Sequence, residues 1–118
     1  MTDQSIEQEI QAKGLTAPRV TPLEIEKNIA REFYFTAAEG AAGNSGIYPE
    51  AGNPAQPLAL LTFCVLLMKN GFTVTGESAC ASPENFDAEL GKKIARQNAV
   101  AKIWPLMGYE LRSKLAGI

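Results

Sequence analysis

The sequence predicts an α+β fold: a central antiparallel β-hairpin packed by a long C-terminal helix, with a capped N-terminal helix before it. Three observations predict it. Asn70-Gly71 joins a continuous apolar run to an alternating one. From position 82 to 104 apolar residues recur at helical spacing behind a Ser-Pro-Glu start, and Thr21-Pro22-Leu23-Glu24 opens an earlier helix in the same way. The 118 residues are 46% hydrophobic and 20% charged, which suits a single domain with one core. One amphipathic helix cannot cover so apolar a hairpin, so the fold is expected to be completed by oligomerisation.

Residues 1–19 form a polar segment in which Ile6 and Ile10, four apart, predict a short helix over 5–13. The domain proper spans 20–118. Thr21 caps its first helix, Pro22 takes the first helical position, and Glu24 reaches back to the cap amide. Ile25, Ile29 and Phe33 recur every four residues and carry this helix to about Phe33; alternatively 33–36 opens a short strand. From 37 to 56 the chain turns to Ala, Gly, Asn, Ser and Pro. Gly40, Gly43, Gly46, Gly52 and Pro54 there predict a flexible loop, either functional or a plain surface insertion.

The run 58–69 reads as a strand buried on both faces, and Phe72 to Thr75 as its returning partner. Asn70 and Gly71 would both take positive φ in the turn between them, and Gly76 would mark a bulge. Ser82-Pro83-Glu84 caps the long helix, whose apolar stripe is Phe86, Leu90, Ile94, Ala101 and Trp104. Glu89 and Lys93 pair on its exposed face, while Lys92 and Arg96 leave a basic edge. Pro105 ends or kinks this helix and Gly108 breaks the next turn. A short final helix over 109–115 then packs Leu111 and Leu115.

Composition narrows the chemistry. A net charge of −2 and a pI near 5.1 argue against DNA or RNA as partners. The chain has no histidine, which removes the commonest general base, the commonest zinc ligand and every Ser-His or Cys-His pair. Cys64 and Cys80 are too few for a disulfide framework and read as reduced thiols, with a bridge between them left open. A thiolate at Cys80 would have no histidine to shuttle its proton, and Glu77 and Glu84 match no metal-ligand spacing. No catalytic residue, metal or cofactor is therefore expected. The N-terminus lacks a signal-peptide core, and the longest apolar run, 57–68, is too short to span a bilayer, so no membrane association is expected.

The best candidate for binding is the strand-to-helix junction 76–87, where free amides at a helix start can hold a phosphate or carboxylate. Ser78 and Asn85 would contact ribose or phosphate, Arg96 would contact phosphate, and Phe86 or Tyr34 would stack on a base. An ordinary capped helix explains the same residues, and Glu77, Glu84 and Asp87 would repel an anion.

The string Asn70-Gly71-Phe72-Thr73-Val74-Thr75-Gly76-Glu77-Ser78-Ala79-Cys80 resembles a family of small proteins encoded by tailed phages and prophages. So do Ser82-Pro83-Glu84-Asn85-Phe86-Asp87, Gly91-Lys92-Lys93-Ile94-Ala95 and Trp104-Pro105-Leu106-Met107-Gly108-Tyr109. The likeness runs from about Val20 to Leu115 and carries no catalytic motif. In outline the chain is also similar to phage sponge proteins that block Thoeris or CBASS signalling, although no binding residue carries over. That resemblance implies an anti-defence protein of the host cytoplasm, a homo-oligomer that sequesters a cyclic nucleotide or cyclic ADP-ribose-type signal without cleaving it. The alternative is inhibition of a host protein by direct binding, through the 37–56 loop or the N-terminal segment.

Overall fold

The computed structural model describes residues 2–45 and 56–118, and has the α+β architecture expected. Helix α1 (Asp3–Ala12) opens with a capping box. Thr2 Oγ1 accepts from the Ser5 amide at 3.0 Å, and Ser5 Oγ accepts from the Thr2 amide at 2.9 Å. After a short linker comes α2 (Pro22–Asn28), where Thr21 Oγ1 accepts from the Glu24 amide at 3.1 Å. The helix does not continue to Phe33. The Asn28 carbonyl accepts from the Lys69 amide, and the chain passes directly into strand β1 (Ile29–Thr36). Ile29 and Phe33 are four apart, which fits one face of a helix and also one face of a regular strand. The aromatic run 33–35 favours the strand, and the irregularity after Ile29 turns Ile29 to the core and Phe33 to the opposite face.

Helix α3 (Ala37–Ser45) follows immediately, where a loop was expected. Its start is a second capping box: the Glu39 amide donates to Thr36 Oγ1 (3.1 Å) and the Thr36 amide to Glu39 Oε1 (2.9 Å). The remainder of the expected loop, 46–55, lies outside the described residues. A 3-10 turn over Pro57–Leu60 leads into β2 (Leu61–Met68), and β3 (Thr73–Ala79) returns beside it. The sheet order is β1-β2-β3, antiparallel throughout, so the expected hairpin is the β2–β3 pair with β1 added on its other side.

The hairpin turn differs from expectation in one respect. Gly71 alone takes positive φ (+90°), its amide donating to the Met68 carbonyl, and Asn70 Oδ1 accepts from the Phe72 amide. This is a three-residue loop with glycine in the left-handed position rather than a two-residue turn. Nor does Gly76 form a bulge, since the β2–β3 register is continuous through it; the irregularity lies in β1, between Ile29 and Arg31.

Ser82 does not cap the long helix. Pro83–Asn85 is a separate 3-10 turn, and α4 (Ala88–Leu115) begins after Asp87, whose carboxylate accepts from the Leu90 amide at 3.1 Å. Pro105 and Gly108 do not end it; α4 is one helix of 28 residues. It crosses β3 and β2 on a seam of Ala95, Ala99 and Ile103, one position away from the stripe expected. Leu90 and Ile94 stay largely exposed. The core beneath α4 is Ile25, Cys64, Leu66, Met68, Val74, Ala95, Ala99 and Ile103.

Candidate functional site

Three of the residues singled out from sequence come together. Ser78 at the end of β3, Asn85 in the 3-10 turn and Phe86 just after it line a pocket of about 130 Å³, closed by Thr62 and the first turns of α4. Nucleotide-sized ligands usually occupy about 300 Å³ or more. The positive end of α4 is already met by its own cap, Asp87, and Glu84 and Glu89 stand beside it. Cys80 Sγ donates to the Ser82 carbonyl at 3.2 Å along the same turn.

Tyr34 and Arg96 belong to a different place. Cα pairing sets Tyr34 opposite Cys64 on the α4 side of the sheet, and the Tyr34 hydroxyl donates to Glu32 Oε1 at 3.2 Å. Arg96 reaches across from α4, donating from Nε to Glu32 (2.9 Å) and from both terminal nitrogens to Glu26 (3.0 and 2.7 Å). The guanidinium thus ties α2, β1 and α4 together. Its hydrogen bonds hold the Glu26 carboxyl below the usual carboxylate range, and those of Glu26 and Glu32 raise the basicity of Arg96. Burial pushes up both the Tyr34 hydroxyl and the Cys64 thiol, so both stay protonated near neutral pH. Cys64 and Cys80 are free. Cys64 lies opposite Gly76, four residues short of Cys80 along the neighbouring chain, a gap of about 13 Å that no disulfide spans.

A groove of about 530 Å³ lies between α1, α2 and α4. Lys93, Gln97 and Trp104 follow one another along its α4 wall at spacings of four and seven, with Arg96 beside Gln97. Trp104 is half-buried, and its indole N–H donates to Asp3 Oδ2 of α1 at 3.0 Å, which ties α1 to α4 along the groove. Lys93 had been expected to pair with Glu89, but Glu89 meets Lys92 at 3.9 Å, and Lys93 makes no ion pair among the described residues. By sequence, Trp104 falls in the core stripe. The seam is displaced by one residue to Ile103, which turns Trp104, Gln97 and Lys93 to the groove; their mixed basic, amide and aromatic character was the available signal.

Opposite α4, the sheet presents a face that, among the described residues, only α3 borders and none covers at its centre. Phe33, Phe35, Phe63, Val65 and Leu67 form its centre, with the Phe35 and Phe63 rings 5.6 Å apart and the Arg31 guanidinium 4.7 Å above Phe33. Among the described residues there is no group of three potential metal ligands, and no helix is long and apolar enough to cross a membrane.

Residues 20–115, from the linker before α2 to the last residue of α4, match the model of the phage protein (N4 Gp49/phage Sf6 gene 66) family. The chain belongs to this family. The match takes in the whole sheet and α4, and leaves α1 outside it. No curated protein and no solved structure matches the chain.

Proposed function

We propose that this phage protein is a non-enzymatic anti-defence factor that binds and sequesters a cyclic nucleotide or cyclic ADP-ribose-type signal in the host cytoplasm. The supporting observation is the α1–α2–α4 groove, whose volume of about 530 Å³ suits a ligand of that size, where the pocket at Ser78, Asn85 and Phe86 suits only a fragment. Trp104 offers an indole face for a base, and Gln97 an amide for ribose hydroxyls or a base edge. Glu26 and Glu32 more than cancel the charge of Arg96, so the attraction for phosphate comes from Lys93. Arg96 still has two of its five N–H donors to offer. Sequestration without cleavage accords with a chain that has no histidine to serve as general base.

A thermal-shift screen against cyclic di- and trinucleotides, cyclic ADP-ribose isomers and linear ADP-ribose tests this. A bound ligand raises Tm in proportion to the logarithm of its concentration, and Lys93→Ala and Trp104→Leu remove the shift while Ser78→Ala keeps it. The ligand is recovered intact after denaturation. Loss of the shift in Ser78→Ala or Asn85→Ala instead would return the site to the strand–helix junction. No shift across the panel would favour the other reading, a small protein that inhibits a host protein by direct binding.

A further inference from the structure

We infer that the sheet face opposite α4, open at its centre among the described residues, is a self-complementary surface on which a second copy of this chain docks to form a two-fold dimer. The strand register arranges this face as a grid. Arg31, Leu67 and Thr73 form one row; Phe33, Val65 and Thr75 the next; Phe35, Phe63 and Glu77 the third. Phe33 and Phe35 keep 41% and 38% of their surface exposed. Two charges stand on the grid, Arg31 and Glu77, at opposite corners, and neither is in an ion pair among the described residues.

That placement selects one partner. A two-fold axis lying in the interface along the other diagonal, from Phe35 to Thr73, sets Arg31 of each copy on Glu77 of its mate, twice over. The same operation brings Phe33 onto Phe63 of the mate, and Phe35 and Val65 each onto its own equivalent. Aromatic groups thus meet aromatic groups, and charge meets opposite charge. The strands of the two sheets then cross at a steep angle, near the orthogonal class of sheet packing. Three strands of seven or eight residues give a footprint about 14 Å by 23 Å, or about 320 Å² a side and about 640 Å² for two copies, the size of a weak, reversible interface. α3 lies against the Phe35 ring at Gly40 and borders the face at that end. This interface does not depend on the groove or on its ligand.

Charge exchange tests it. By sedimentation equilibrium at tens of micromolar, the parent chain is a dimer. Arg31→Glu and Glu77→Arg singly set like charges against each other and weaken the dimer by at least about tenfold, with circular dichroism unchanged. The double variant, with both charges exchanged, regains the dimer. A monomeric parent, as expected were this face reserved for a host protein, overturns the inference. So does a dimer that the single reversals leave intact, or a double variant that stays monomeric.

Discussion

A methyl group added at Gly76 would lie 2.2 Å from the Ala95 carbonyl oxygen and 2.3 Å from the Ala99 amide nitrogen. Both obstacles are helix backbone, which cannot turn aside as a side chain would. Gly76, Ala95 and Ala99 together let α4 lie directly on β3, and the seam is alanine where it crosses Gly76 because this approach is so close. Gly76→Ala is therefore expected to cost at least about 3 kcal/mol by forcing helix and sheet apart. Gly108, mid-helix with open space where its Cβ would be, is the control: Gly108→Ala should gain about 1 kcal/mol. Urea denaturation of both variants checks the pair, and equal effects would mean the close contact at Gly76 is not what holds α4 in place. A glycine in a strand could be read from sequence as a bulge or as a close approach. Only the position of Ala95 and Ala99 above it decides between them, and that is tertiary information.

Helix α4 shows why local signals misjudge a long element. Pro105 has no amide hydrogen to bond the carbonyl four residues back, and the sequence reading ended or kinked the helix there. The helix continues because Ile103 is buried on one side of the proline and Met107 packs against the core on the other, with Pro105 itself exposed. Packing on both flanks thus outweighs the local penalty. Pro105→Ala should then restore the missing bond and raise stability by about 1–3 kcal/mol without altering the far-ultraviolet circular dichroism. Destabilisation instead would show that the proline shapes the packing of Trp104 and Met107. Other elements were legible to different degrees. The α2 cap, the β2–β3 hairpin and the existence of the long helix all rest on short-range chemistry, and the structure has all three. Thr36 and Glu39 stand at capping-box spacing with alanines after them, a signal for α3 that a reading by glycine and proline content passes over. At 29–33 the apolar spacing of four fitted two periodicities, and pairing with β2 settled what periodicity could not.

At the scale of the molecule, the part that belongs to the phage family carries the sheet and its covering helix, while α1 lies outside the family match and closes the groove. Its attachment depends on few contacts. One is the Trp104–Asp3 hydrogen bond; another is Glu7, 8% exposed, whose carboxylate accepts from both terminal nitrogens of Arg19 and from Gln11 Nε2. The Arg19 hydrogen bonds, then that of Gln11, hold the Glu7 carboxyl down to about 2 from an ordinary 4.5. A carboxyl depressed in the folded state contributes stability above its ordinary value and loses it as pH falls toward the folded value. Glu7's contribution to anchoring α1 is accordingly complete above about pH 4.5 and lost progressively down to about pH 2. Trp104 is the sole tryptophan and touches α1, so its emission reports on this contact. Acid titration of the parent should shift that emission to the red within this window. In Glu7→Gln the shift is already partly present at neutral pH, and the acid step attributable to Glu7 is missing. The Glu26–Arg96 pair also weakens in acid, but it is common to both proteins, so their difference isolates Glu7. Identical titrations would mean that α1 is held by Trp104 and the apolar side chains of Ile6 and Ile10 alone. In that case the groove, and any ligand it takes, would be insensitive to the Glu7–Arg19 pair.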